Sequence, residues 1–235
     1  NPTVAVTGTR GKTTTTNWIA HFLHSSDSAA FAAGNTPERP LFADLDRLVR
    51  RPETPAVLEL SSWQLELVRD ARRGPDVAVI TNLYTDHLNR YRKMEDYAEA
   101  KSVIFQGQNP AQALILNGEN RWTSFFLKIK PKGRLFIFTM RPLPRNARGI
   151  SITKGAAVFT EAGKTEVVAS SKLIRDFQSQ WGTHNVENLL AAMLAAHLMG
   201  LPWHAIVSRI ASLPEVPFRQ ETVIRQKNLL VVNDS

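Results

Sequence analysis

Val4-Ala5-Val6-Thr7-Gly8-Thr9-Arg10-Gly11-Lys12-Thr13-Thr14-Thr15 is the stretch from which the rest of the chain can be read. A short β-branched run leads into a Gly-Thr-Arg-Gly turn, followed by Lys12 and a run of threonines. Trp18, Ile19, Phe22 and Leu23 then recur at helical spacing. Strand, glycine loop and helix, in that order, is the setting of a phosphate-binding loop. Gly8 and Gly11 let the backbone turn with its N–H groups inward, and the helix N-terminus adds partial positive charge. Lys12 can reach terminal phosphates, and the Thr13 hydroxyl can ligate Mg²⁺. The full pattern is G-x-x-x-x-G-K-[ST], and Val6 stands where its first glycine would be. A Gly/Thr-rich helix cap is the plainer alternative. Against it, Thr13 to Thr16 is a costly helix start, because β-branched residues lose side-chain freedom there.

Working outward, the order is again strand and helix. Ala56 to Leu60 reads as a buried strand carrying one acid, Glu59, near its C-terminal end. Val77 to Thr81 is another, followed by Asn82, Asp86 and His87. Tyr97 to Phe105 reads as helix, Ala113 to Leu116 as a fourth strand and Leu135 to Phe138 as a fifth. Short apolar strands alternating with helices predict an α/β fold with a mostly parallel sheet covered on both faces. From Arg141 to Ser170 short β-like pieces lie between Gly and Lys turns, predicting a small antiparallel β appendage. Asn185 to Met199 is the clearest helix, stopped by Gly200-Leu201-Pro202, and His204 to Leu213 is a second. Pro217 marks a linker, after which Glu221 to Arg225 and Leu229 to Val232 form a β pair. The expected domains are residues 1–216 and a linker with first strands of another domain at 217–235, so a fragment of a longer protein is expected.

With 235 residues the chain can bury a substantial core, and no apolar run approaches the roughly 20 residues of a membrane span. It has no cysteine, which excludes disulfides and thiolate metal sites. With no secretion signal visible, a cytoplasmic location is expected. The formal charge of +8 calls for an anionic partner or none. Basic residues cluster mildly at Arg47, Arg50 and Arg51, at Arg69, Arg72 and Arg73, and from Lys128 to Arg148. No aromatic-interleaved basic stripe accompanies them, so nucleotide or sugar-phosphate ligands explain the excess as well as nucleic acid does.

In open parallel sheets, ligands gather at the carboxyl ends of strands. The phosphate loop, then Glu59, Ser61, Ser62 and Gln64, then Asn82, Asp86 and His87 follow three such ends. An acid in an apolar strand costs several kcal/mol unless paired or metal-bound, so Glu59 predicts either a shared Mg²⁺ or a buried salt bridge. His87 is a site candidate beside Asp86, or a capping or core histidine. Lys101, by its helical position alone, reads as a surface lysine.

Several segments together resemble the Mur ligases, ATP-dependent amide-forming enzymes of peptidoglycan synthesis. The loop Thr7 to Thr14 resembles theirs, which likewise lacks the first glycine. Gly34-Asn35-Thr36, Glu59 to Glu66 (E-L-S-S-W-Q-L-E), Asp86-His87-Leu88-Asn89-Arg90-Tyr91, Ala100-Lys101 and His184 to Asn188 are each similar to a family segment, in order and spacing. Phe218-Arg219 and Asn233-Asp234-Ser235 resemble its linker and the opening of its acceptor domain. Trp63 stands where phenylalanine is usual, and residues 121–179 match weakly. The Glu59 to Glu66 segment favours the member that adds D-glutamate to UDP-N-acetylmuramoyl-L-alanine.

The resemblance implies that Gly8, Thr9, Arg10, Gly11, Lys12, Thr13 and Thr14 bind ATP phosphates, while Asn188 approaches adenine and Arg219 and Asp234 close on the nucleotide. It implies two Mg²⁺ sites, one at Thr13 and Glu59 and one at His87 and a carbamylated Lys101. Lys12, His87 and Lys101 would be the catalytic set, and Asn35, Thr36, Ser61 and Gln64 would line the substrate side. The partners implied are a UDP-sugar-linked substrate and an amino acid, with no nucleic acid, no membrane span and a monomeric state. Another Mur-type ligase, a folylpolyglutamate synthase-like enzyme, or a P-loop ATPase or switch binding nucleic acid are the alternatives. A GTPase switch would carry an Asn-Lys-x-Asp segment, and the sequence has none.

Overall fold

The computed structural model describes residues 1–24, 30–34, 45–71, 73–86, 90–215, 221–226 and 229–233. Nine strands form one sheet in the order β2-β3-β1-β4-β5-β6-β7-β8-β9. They are β1 (Thr3–Thr7), β2 (Phe31–Ala33), β3 (Ala56–Glu59), β4 (Val77–Ile80), β5 (Ala113–Asn117), β6 (Arg134–Thr139), β7 (Gly149–Thr153), β8 (Ala156–Glu161) and β9 (Lys164–Ala169). Neighbours from β2 through β7 pair in parallel, and β8 and β9 add on antiparallel. The antiparallel pieces expected after Arg141 are therefore a continuation of the main sheet. The outer strand β9 exposes Lys164 and Glu166, charges that discourage another chain from pairing there. β2 escapes the sequence reading because three residues show no periodicity.

Side chains alternate strictly across the strands, as a period of two requires. Val4, Val6, Val77, Val79 and Ile115 enter one core with Trp18, Ile19 and Phe22 of α1 (Lys12–Leu23). The same core takes α6 (Ser171–Trp181), α7 (Thr183–Leu198) and α8 (Trp203–Ser208). Ala5, Ala78, Ile80, Leu114 and Leu116 face the other way, against α3 (Ser62–Leu67), α4 (Met94–Gln106) and α5 (Thr123–Lys128). A short α2 (Leu45–Arg50) lies between β2 and β3 in the chain. Both faces are thus covered, which is why the parallel strands read as unbroken apolar runs. α7 is enclosed: Leu189 through Ala196 are all 0% exposed, and its alanines let it pack closely. β10 (Glu221–Gln226) and β11 (Leu229–Asn233) pair antiparallel in a separate two-stranded sheet.

Candidate functional site

β1 delivers the chain into the loop at Gly8, and parallel pairing of Thr7 with Ile80 sets Gly8 beside Thr81. Gly8 has φ +154°, and a Cβ there would lie 2.0 Å from the Thr81 hydroxyl oxygen. Gly11, directly before α1, is left-handed at φ +76°, and its Cβ would lie 2.3 Å from Asn188 Oδ1. Both positions exclude a side chain, for conformation and for space. Between them the backbone is gripped from β4's end. The Thr81 hydroxyl donates to the Arg10 carbonyl at 2.7 Å. The Asn82 amide takes both sides of Arg10, accepting from its N–H at 2.9 Å and donating to its carbonyl at 3.1 Å. The Thr9 N–H donates to the Asn82 carbonyl at 3.0 Å. Lys12 Nζ arches back to the Thr9 carbonyl at 3.0 Å.

No side chain caps the start of α1, and its first turn carries no acid. Such a helix start, with its N–H groups and partial positive charge, suits an anionic ligand. The threonine run divides in its tasks: Thr13 and Thr14 line the cavity outside the loop, whereas Thr15 donates to Asn188 Oδ1 at 3.5 Å and Thr16 is buried. That cavity encloses about 750 Å³. Loop residues 9–14 form one wall, Asn82 and Tyr84 another, and Trp181, His184, Asn185, Glu187 and Asn188 the third. Asn188 Nδ2 donates to Asn185 Oδ1 at 2.9 Å, and Asn185 Nδ2 to the Trp181 carbonyl at 2.9 Å, which fixes the amides at the head of α7. Burial pushes the Glu187 carboxyl upward, partly offset by Asn117, whose Nδ2 donates to it at 3.1 Å.

Beneath the loop the surface reading of Lys101 fails. Lys101 is 1% exposed, because α4 turns the face bearing Tyr97 and Lys101 toward β1 and the loop. Its Nζ donates to the Gly8 carbonyl at 2.9 Å and to the Thr7 hydroxyl at 3.4 Å, and sits 4.6 Å from the centre of the Tyr97 ring. Burial, reinforced by the nearby Lys12 charge, pulls its pKa down to about 7 against the pull of Asp86 and Glu59. Burial likewise pushes Tyr97 up to about 12, and its hydroxyl meets Thr9 Oγ1 at 3.4 Å. Glu59 ends β3 at 5% exposure and, among the described residues, has neither a hydrogen bond nor an ion pair. The salt-bridge expectation for it therefore finds no partner there. A carboxylate at that depth suits a hard cation; Thr13 lines the cavity, and Glu59 is not among its lining residues. Among the described residues no three His, Asp or Glu side chains gather around a metal, so phosphate or water oxygens would have to complete such a site.

The remaining expected residues separate into two groups. Ser61 and Gln64 form a reciprocal capping box on α3, Gln64 N–H to Ser61 Oγ at 3.2 Å and Ser61 N–H to Gln64 Oε1 at 2.8 Å. Asn35, Thr36, His87, Arg219 and Asp234 lie outside the described residues, although Gly34, which precedes Asn35, would place a Cβ 2.4 Å from Glu59 Cβ. Sequence reasoning missed Thr81, Tyr84, Trp181 and Glu187. The rule that ligands meet strand C-termini could have found Thr81 and Tyr84, whereas nothing in the sequence marks Trp181.

The family model described as "Mur ligase middle domain" matches residues 6–196. The UDP-N-acetylmuramoylalanine--D-glutamate ligase of Symbiobacterium thermophilum is 33% identical over 234 residues, covering 100% of this chain and 49% of that protein. That of Pelotomaculum thermopropionicum is 34% identical over 235 residues, covering 100% and 49%. The chain thus spans about half the length of the curated relatives it matches. Among solved structures, a UDP-N-acetylmuramoyl-L-alanyl-D-glutamate--2,6-diaminopimelate ligase superposes with a TM-score of 0.70 at 27% identity, over 98% of this chain and 50% of that one. The MurF ligase of Thermotoga maritima, solved with ADP, shares the fold at a TM-score of 0.65 and 19% identity, over 100% of this chain and 53% of that one. With most of its length matched by that family model, the chain belongs to the Mur ligase family and carries its middle domain.

Proposed function

We propose that the chain is the ATP-binding part of an ADP-forming amide ligase that joins D-glutamate to UDP-N-acetylmuramoyl-L-alanine in peptidoglycan precursor synthesis. One observation carries the reading. A glycine loop locked by Thr81 and Asn82, with Lys12 over it and an uncapped helix start behind it, opens into a cavity of about 750 Å³. The amino acid and the sugar-linked acceptor come from the names of the relatives.

In this reading the γ-phosphoryl group of ATP passes to an oxygen of the acceptor carboxylate as the β,γ-anhydride bond breaks, giving an acyl phosphate and ADP. The amine of D-glutamate then attacks the acyl carbon, loses a proton and releases inorganic phosphate. The chain's part is positioning and charge: the Lys12 ammonium and the leading N–H groups of α1 hold the phosphates in line as negative charge shifts between oxygens. Thr13 and Glu59 would hold one Mg²⁺, and His87 with a carbamylated Lys101 a second. Mg²⁺ bound there would neutralise phosphate charge that the residues alone leave uncompensated. A Lys101 amine near neutrality has a substantial unprotonated fraction at pH 7, the form that adds to CO₂ with release of one proton.

The domain boundary at 216/217 is part of the same proposal, and the separate sheet of β10 and β11 supports it. So are a monomeric state and a cytoplasmic location; among the described residues no helix is long and apolar enough to cross a membrane. Calorimetry should detect weak MgATP binding by this chain, with no ligation until the rest of the enzyme is present. The full-length protein should release phosphate with UDP-N-acetylmuramoyl-L-alanine and D-glutamate. Absence of MgATP uptake, or phosphate release stimulated only by single-stranded DNA, would overturn the proposal. Activity of Lys101→Ala restored by short carboxylic acids would support the carbamate, and full activity without them would remove it.

A further inference from the structure

We infer that Trp181 is the wall against which the base of the bound nucleotide stacks, a role that rests on the phosphate-cradle reading above and extends it. The cavity has a direction. Lys12 reaches the Thr9 carbonyl at 3.0 Å, and the Tyr84 N–H donates to Thr9 Oγ1 at 3.0 Å, so Tyr84 marks the end where terminal phosphates meet the lysine. Thr14 lies past Lys12 on α1, and Trp18 is one helical turn further on the same face. Trp18 meets Trp181 edge-on at 5.5 Å between ring centres. Trp181 therefore lines the cavity at the end away from Tyr84, where the nucleoside must lie if the phosphates occupy the loop.

The indole is built in rather than left over. Phe177 stacks on it at 6.1 Å and 19°, and both Phe177 and Trp18 belong to the core. Trp18 is itself tied through Nε1 to the Pro214 carbonyl at 3.1 Å. The Trp181 carbonyl accepts from Asn185. Trp181 is nonetheless only half-buried, and it shares the cavity wall with one other aromatic residue, Tyr84, and with mostly polar side chains. A rigid aromatic wall costs little entropy to present and suits the π-face of any base. The ligand class is thus a nucleoside triphosphate, with the base contributing affinity apart from the phosphates.

The test separates base from phosphate. MgATP and inorganic tripolyphosphate with Mg²⁺ are titrated calorimetrically into the wild-type chain, Trp181→Leu and Trp181→Phe, with thermal melts run alongside. Stacking of one base predicts that Trp181→Leu weakens MgATP roughly 10- to 100-fold, leaves tripolyphosphate within about 2-fold, and that Trp181→Phe stays within about 3-fold of wild type for both. Unchanged MgATP affinity in Trp181→Leu overturns the inference, as does an equal loss for both ligands, which would mean the indole only supports the loop. Tripolyphosphate binding without any gain from the nucleoside overturns it while leaving the phosphate cradle standing. Failure of the wild type to bind either ligand removes both readings.

Discussion

Two lysines hold consecutive carbonyls of one loop and differ in almost everything else. Lys12 crosses the cavity side to the Thr9 carbonyl, whereas Lys101 comes from beneath, out of α4, to the Gly8 carbonyl. The first stands at the mouth of a polar cavity, and the second is 1% exposed with a pKa near 7. A ligand chemistry dictates the first, so it is written locally as Gly-Lys-Thr. The second is dictated by tertiary packing, so its own neighbourhood, Tyr97 to Lys101, looks like any amphipathic helix. One loop is thus shaped from two sides, one side readable in the sequence and the other not.

The first test separates the lysines outright. Lys12→Ala removes a charge-assisted contact of about 1.5–3 kcal/mol, so MgATP affinity measured by calorimetry should fall roughly 10- to 100-fold. Equal loss for Lys101→Met in the same assay would show that the loop does not distinguish its two sides. Next comes the geometry they share. Gly8→Ala forces a Cβ onto the Thr81 hydroxyl and should cost about 1–3 kcal/mol in urea unfolding, as overpacking usually does. Stability within about 0.5 kcal/mol of wild type would mean that β4 does not confine the loop.

The third test is pH. Lys101 has a folded pKa near 7, below its ordinary value of 10.5, so between these values the unfolded chain binds a proton that the native chain does not. Stability should therefore gain from Lys101 as pH rises above 7, by up to about 1.4 kcal/mol per pH unit, and the gain should end near the unfolded pKa. Below pH 7 both states are protonated and the term is flat. Denaturant titrations in CO₂-depleted buffer should show this slope in wild type and lose it in Lys101→Met. The smallest effect is at the rim. Ser61→Ala removes the α3 cap and should cost about 1 kcal/mol. If full-length Ser61→Ala loses far more ligation rate than this stability change explains, Ser61 also touches substrate, as the family resemblance implies.

Much of the architecture was legible for the same reason as Lys12. Buried parallel strands must be apolar throughout, and the runs at Val4, Val57, Val77 and Ala113 are strands in the structure. The run at Phe31 was not legible, because three residues carry no pattern. Continuity of β7 through β9 with the main sheet was also hidden, since pairing partners distant in sequence leave no local mark. At the site, Thr81 follows from β-register, which the sequence does not state, while Asn82 was a rim candidate whose actual task is to hold Arg10. Trp181 depended on two core aromatics from other turns meeting it, a coincidence visible only in three dimensions.

α7 has one more consequence. The helix whose first turns carry Asn185 and Asn188 into the cavity is also the most deeply enclosed helix of the sheet's larger face. Occupancy at its head is mechanically continuous with the molecule's centre, so nucleotide should register as a rise in the melting temperature of the entire domain, graded with ligand concentration.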